Sequence, residues 1–283
     1  MKTKIPKRIV DVAIISDVHL GTIGCRAREL LRYLKSIRPG ILVLNGDIID
    51  IWQFRKSYFP KEHLMVIRYL TTLIAKKTRV VYITGNHDEM LRKFVPFRMG
   101  SFELVNKLVL ELHGKKTWIF HGDVFDFTMQ YSKWLSKLGS TGYDLLIRIN
   151  SLLNSLLVLF GKEKVSFSKN VKNRVKSAVA YINRFEETAA GIAISKEYGY
   201  VACGHIHQPV IRTIQNGQGE TVYLNSGDWI ENLSSLEYYD GSWHLYHYYE
   251  DPLRKLPDED DSPAEPLTDK VTFERLLEEF RLQ

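Results

Sequence analysis

At 283 residues and 45% hydrophobic content, the chain can bury one sizeable core, with room for an insertion and a tail. Its two cysteines, Cys25 and Cys203, exclude a disulfide framework and read as reduced thiols of a cytosolic protein. The net charge of +6 is concentrated: residues 128–185 hold ten Lys and Arg against two acids, Asp144 and Glu163, while the remainder carries 29 basic and 31 acidic side chains. Such a segment seeks phosphate, nucleic acid or an anionic membrane surface.

The N-terminal stretch MKTKIPKRIVDVAII is basic and then apolar, but Asp11 interrupts the apolar run and no small-residue cleavage site follows, which argues against a secretory signal. IVDVAIIS (9–16) predicts a strand, RARELLRYLKSI (26–37) a helix and ILVLNGD (41–47) a second strand. HLMVIRYLTTLIAKK (63–77) predicts a helix and RVVYITG (79–85) a third strand. Strands separated by helices imply βαβ units and a mostly parallel sheet. LVLELHGKKTWIFHG (108–122) reads as a hairpin turning at His113–Lys116, and YGYVACG (198–204) as a strand. TVYLNSGDW (221–229) precedes a hairpin, LEYYDGSWHLYHYY (236–249), whose turn is Asp240-Gly241. The expected architecture is two packed sheets with helices outside.

Residues 128–196 carry helical patterns only and read as a helical cap inserted between core segments 1–127 and 197–250. Residues 251–283 read as an acidic tail, with a Pro-rich stretch (257–266) that lacks the apolar content to fold and a short helical pattern, TFERLLEEFRL (272–282).

The predicted strand ends carry the chemistry. Asp17 and His19 close the first, Gly46-Asp47 the second, Gly85-Asn86-His87-Asp88 the third, His121-Gly122-Asp123 the hairpin and Gly204-His205-Ile206-His207 the strand after the insertion. Loops at the carboxyl ends of the strands of an α/β sheet share one edge, so residues far apart in sequence meet there. Carboxylate, imidazole and amide donors without thiolate suit two divalent ions such as Mn, Fe or Zn and argue against a structural zinc site. Two such ions clamp an in-line displacement at phosphorus. One carboxylate must bridge them, and Asp47 is the candidate. Each signal alone is common turn chemistry. Five of them, each closing a predicted strand, form a constellation.

DVH (17–19), GD (46–47), GNHD (85–88), HGD (121–123) and GHIH (204–207) resemble the calcineurin-like metallophosphoesterases over residues of about 9 to 250. The resemblance implies a four-layer α/β/β/α sandwich of two mixed sheets. It assigns Asp17, His19, Asp47 and His207 to one ion and Asp47, Asn86, His121 and His205 to the other. It also gives His87 the phosphoryl charge or the leaving oxygen, with Asp88 orienting its ring.

The insertion bears on substrate. YDLLIRINSLLNSLLVLF (143–160) is apolar on most of a helix, yet Arg148, Asn150 and Asn154 make it a poor membrane span. It reads either as a packed cap helix or as an apolar surface for acyl chains. Lys162, Lys164, Lys169, Lys172, Arg174 and Lys176 follow directly, and with Arg148 they are candidate substrate-phosphate or anionic-lipid contacts. The SDVHLG start, this insertion and LNSGDWIENLSSLEY (224–238) together resemble the UDP-2,3-diacylglucosamine diphosphatase branch. That branch implies an acylated nucleotide-sugar substrate, Mn²⁺ and peripheral attachment to the cytoplasmic face of the inner membrane; no obligate protein partner is inferred from the sequence. The best-known form of the branch has Arg at the position of His87. Arg cannot act as an acid, so a different lipid-linked or nucleotide phosphoester remains an alternative substrate. A nuclease ranks lower, because only Phe167 interleaves the basic run. A non-catalytic scaffold ranks last, because every expected ligand is present.

Overall fold

The computed structural model describes residues 7–51, 59–128 and 168–252. Three strands form its centre: β1 (Arg8–Ile15), β2 (Ile37–Asn45) and β3 (Arg79–Ile83). They pair in parallel, Val12 opposite Ile41 and Leu42 opposite Val80. Strands covered on both faces read as continuous apolar runs, and alternation sends their side chains to two different cores. Val12, Ile14, Val43, Val81 and Ile83 point one way, while Ala13, Ile15, Leu42, Leu44, Val80 and Tyr82 point the other.

The second set meets helices α1 (Ala27–Ser36) and α2 (Lys61–Ala75). Leu30 and Leu34 of α1 and Val66, Leu70 and Leu73 of α2 recur at helical spacing and are buried in that core. The full sheet has seven strands in the order β12-β11-β1-β2-β3-β5-β4. Here β4 is Phe97–Met99, β5 is Phe102–Val105, β11 is Ser234–Tyr239 and β12 is Ser242–His247.

The first set faces a five-stranded sheet. It is built from β6 (Leu108–Leu112), β7 (Lys115–Ile119), β8 (Tyr200–Cys203), β9 (Val210–Asn216) and β10 (Gly219–Asn225), in the order β6-β7-β8-β10-β9. Ala202 and Leu224 point between the sheets, whereas Val201, Cys203 and Tyr223 point outward to a third core with Phe125 and Phe185. Phe125 lies on α3 (Val124–Thr128) and Phe185 on α4 (Ser168–Ser195). Three cores between two helical layers and two mixed sheets make the α/β/β/α sandwich of a metallophosphoesterase fold.

The structure departs from the sequence reading in specific places. β2 begins at Ile37, not at 41, because Pro39 and Gly40 look like breakers yet continue the parallel ladder, with Val10 opposite Pro39. β4, β5 and β9 were not expected. β4 and β5 have three and four residues, and most of β9 is exposed or half-buried, so none shows an apolar period. The boundary set at residue 196 also moves: Phe185, Ala189 and Ala193 of α4 are fully buried on the second sheet, so this part is core and not cap. The 143–160 stretch, Arg148, Lys162, Lys164 and the tail beyond 252 lie outside the described residues. Lys169, Lys172, Arg174 and Lys176 fall on α4, but their side chains are not described.

If α4 is a core layer, Phe185→Ala should destabilise the protein by about 3–5 kcal/mol, the cost of emptying a buried aromatic site. Equilibrium denaturation checks this, and a loss below about 1 kcal/mol would return residues 185–195 to an appended cap.

Candidate metal and catalytic site

Parallel pairing puts the ends of β1, β2 and β3 side by side, and the backbone then zips their loops together. Asp17 N donates to Gly46 O at 3.1 Å, and Val18 N and His19 N both donate to Asp47 O at 2.9 Å. The second sheet joins at the same edge: Gly204 N donates to His121 O at 2.9 Å, and His205 N donates across the sheets to Asp17 Oδ2 at 3.0 Å.

This framework gathers three trios of possible ligand atoms: two are built from the expected ligands, and the third is His19, Asp50 and His87. One ligand atom from each of Asp17, His19 and His207 lies within 4.8 Å of the others, and Asp47, His121 and His205 do the same. Asp47 belongs to both neighbourhoods. Burial would push its carboxyl up, but His121, His19 and His87 around it hold it far below the ordinary range. Asn86 follows β3 in the same loop system, and its Oδ1 is buried. Five of these ligands sit in the left-handed backbone region: Asp17 (φ 52°), His19 (53°), Asp47 (54°), His205 (68°) and His207 (54°). Non-glycine residues pay for that conformation only where the surroundings impose it, which happens at functional sites.

The outer ring nitrogens are all engaged. His19 Nδ1 meets Asp50 Oδ2 at 3.3 Å, His121 Nδ1 donates to Asn45 O at 2.9 Å, His205 Nε2 meets Asp126 Oδ2 at 2.9 Å and His207 Nδ1 meets Asp228 Oδ2 at 3.5 Å. A metal-ligating histidine characteristically gives its second nitrogen to a carboxylate or carbonyl, which sets the tautomer and aims the other nitrogen. That other nitrogen on His19, Nε2, is buried and makes no hydrogen bond. An unsatisfied buried imidazole nitrogen beside ionised carboxylates fits a divalent cation. The two glycines that flank Asp47 leave no spare room. A β-carbon at Gly46 would lie 2.3 Å from His121 Nδ1, and one at Gly85 would lie 2.2 Å from Asp47 Oδ1.

Charge in the cluster is tightly balanced. Burial raises the Asp17 carboxyl, yet His207 and His121 hold it below its ordinary value. Burial lowers the His207 imidazole, but Asp17 and Asp228 together raise it to about 10. Asp17 and Asp47 are therefore ionised at neutral pH, as metal ligation would require.

His87 is partly exposed, with its ring edge-to-face against that of His19 at 4.6 Å. Its backbone N–H donates to Asp47 Oδ1 at 2.8 Å, and its ring Nδ1 lies 2.9 Å from Asp50 Oδ2. Burial lowers the His87 pKa, but Asp50 and Asp47 bring it above its ordinary value. The residue that orients the ring is thus Asp50 and not Asp88, which corrects the sequence reading. The Asp88 carboxylate is spent on the loops: Gly85 N donates to Oδ1 at 2.5 Å, and Ile48 N and Tyr82 Oη donate to Oδ2 at 3.0 and 2.6 Å. Sequence reasoning also missed Asn45, Asp126 and Asp228. Asp50 had a signal, three positions after Asp47 in GDIID, and Asp228 stood in the SGDW stretch; Asp126 and Asn45 had none.

A family model described as calcineurin-like phosphoesterase matches residues 10–209. The chain belongs to that family. As a calcineurin-like phosphoesterase it is a metal-dependent phosphoester hydrolase, and the two trios are its candidate divalent-metal ligands. It is similar to a UDP-2,3-diacylglucosamine hydrolase of Aliivibrio fischeri, with 22% identity over 83% of this chain and 97% of the relative. An Aeromonas salmonicida protein of the same name is 26% identical over 78% of this chain and 87% of its own. A DNA double-strand break repair protein Mre11 of Methanococcus maripaludis is 26% identical over 75% of this chain and 52% of its own.

His87→Ala should slow hydrolysis of a small phosphodiester by about 10²–10⁴, the size of a lost acid catalyst, while metal content stays at the wild-type level. Metal analysis of the purified variant decides the role: loss of a metal with the activity would make His87 a ligand.

Proposed function

We propose that this phosphoesterase cleaves the pyrophosphate of UDP-2,3-diacylglucosamine, releasing UMP and 2,3-diacylglucosamine 1-phosphate. The relatives bearing that substrate's name carry the reading, since the similarity covers 78–83% of this chain and 87–97% of theirs. The site chemistry supports it. When bound, a pair of divalent ions supplies Lewis acidity and a nucleophile at neutral pH. Mn²⁺ is the proposed native metal, with Fe and Zn as alternatives suited to the same donors.

The chain's own residues do the rest. With Nδ1 turned to Asp50, His87 presents Nε2 on the opposite side of its ring, away from that carboxylate. Asp50 and Asp47 favour its protonated form, so it meets developing charge on the phosphoryl oxygens and can give its proton to the departing oxygen. Asp88 holds the loops of Asp47 and His87 in register through Ile48 and Gly85. An Arg in place of His87 would supply charge alone; a histidine supplies charge and a transferable proton.

The apolar 143–160 stretch and the cations Arg148, Lys162, Lys164, Lys169, Lys172, Arg174 and Lys176 support contact with acyl chains, substrate phosphates and an anionic membrane surface. Among the described residues no helix is long and apolar enough to cross a membrane. We place the protein as a peripheral one on the cytoplasmic face of the inner membrane. A second reading, phosphodiester cleavage in nucleic acid, is favoured by the similarity to Mre11.

A paired assay of the Mn²⁺-loaded protein separates these readings. UMP should appear from UDP-2,3-diacylglucosamine and not from an unacylated UDP-sugar. Cleavage of single-stranded DNA without release of UMP would replace the lipid substrate with nucleic acid.

A further inference from the structure

The metal ligand His205 is attached to the outer helical layer in a way the catalytic motifs do not require. Its Nε2 lies 2.9 Å from Asp126 Oδ2 on α3, and the other oxygen of that carboxylate, Oδ1, accepts a hydrogen bond from Tyr181 Oη on α4. Packing reinforces the link. The Phe185 ring, one helical turn beyond Tyr181, lies 5.4 Å from Phe125 edge-to-face and 6.2 Å from the His205 ring. Gly122 sits so close that a β-carbon there would lie 2.6 Å from Phe185 Cζ. The other trio is anchored differently. His207 turns to Asp228, which is held by the backbone N–H groups of Ile230 and Glu231 at 2.8 and 2.6 Å, within one loop of the first sheet's side.

We propose that Asp126 and Tyr181 are positioning residues for the Asp47–His121–His205 metal position alone, so that the placement of α4 sets the affinity of that position. The inference rests on the metal reading of the two trios. A carboxylate bonded to the outer nitrogen aims the inner one and raises its basicity, and removing such a partner lowers metal affinity about 10–100-fold. Tyr181 fixes the carboxylate in turn. Its hydroxyl occupies Oδ1 and leaves Oδ2 for His205. α4 reaches this metal position through Tyr181 and Phe185, whereas His207 is anchored by Asp228 in another loop, so a shift of the helix acts first on the Asp47–His121–His205 position.

The test is manganese titration of metal-free protein, followed by electron paramagnetic resonance, which distinguishes a single Mn²⁺ from a coupled pair. Wild type should develop the coupled-pair spectrum. Asp126→Ala should bind the first ion with wild-type affinity and the second about 10–100-fold more weakly, so that single-ion signal persists at concentrations that pair the wild type. Tyr181→Phe, which keeps the ring packing, should shift the second ion in the same direction by less. Asp126→Asn should fall between wild type and Asp126→Ala, because the amide oxygen can still accept from the ring. Unchanged titration in both Asp126→Ala and Tyr181→Phe would overturn the proposal. Equal weakening of both ions would overturn it too, since that marks a general structural loss. A wild-type protein that never forms a pair would remove the metal reading on which the proposal rests.

Discussion

The structure depends on one buried carboxylate. Asp47 closes the second strand of the first sheet, and its main chain and side chain are used in different directions. Its carbonyl accepts the amides of Val18 and His19, and its Oδ1 accepts the amide of His87. The three ligand loops are therefore registered against a single residue. Its Oδ2 faces His121, 3.3 Å from Nε2, which brings the second sheet's histidine to the same point. A carboxylate at that depth is tolerable because imidazoles surround it, and divalent cations, when bound, would complete its coordination.

The sandwich follows from this demand. Ligands from two sheets converge only if both sheets end their parallel strands at one edge and pack closely behind it. Alternation along β1, β2 and β3 supplies one face to the shared core and one to the helices, and β8 and β10 repeat the device in the second sheet. The left-handed conformations at five ligands turn the chain sharply out of the strands so that successive side chains return over the edge. Many hydrogen bonds across the loops hold those turns in place, and so the ligands remain organised before any ion arrives.

Much of this was legible in the sequence because it lies in short, local patterns. Apolar runs, helix periods and polar strand ends each occupy fewer than twenty residues and need no knowledge of the fold. What escaped was non-local. Asp88 follows His87 directly and was read as its partner, yet the loop turns Asp88 inward to Tyr82 and Ile48 and leaves the ring to Asp50, 37 positions away. Asp126 and Tyr181 were invisible for the same reason, since nothing in either local sequence marks a carboxylate shared between a histidine and a phenol. The strand β9 has no fully buried residue, and β4 and β5 are too short for an apolar period to show. The inner end of α4 looked like a cap because its helical pattern runs unbroken from the basic segment into the buried alanines.

The most direct test of the account is anomalous diffraction from a crystal grown with Mn²⁺. Two peaks are predicted, one against Asp17, His19 and His207 and one against Asp47, Asn86, His121 and His205, with the Asp47 carboxylate between them. A single peak, or a pair that does not share Asp47, would contradict the bridging role on which the arrangement of the whole edge depends.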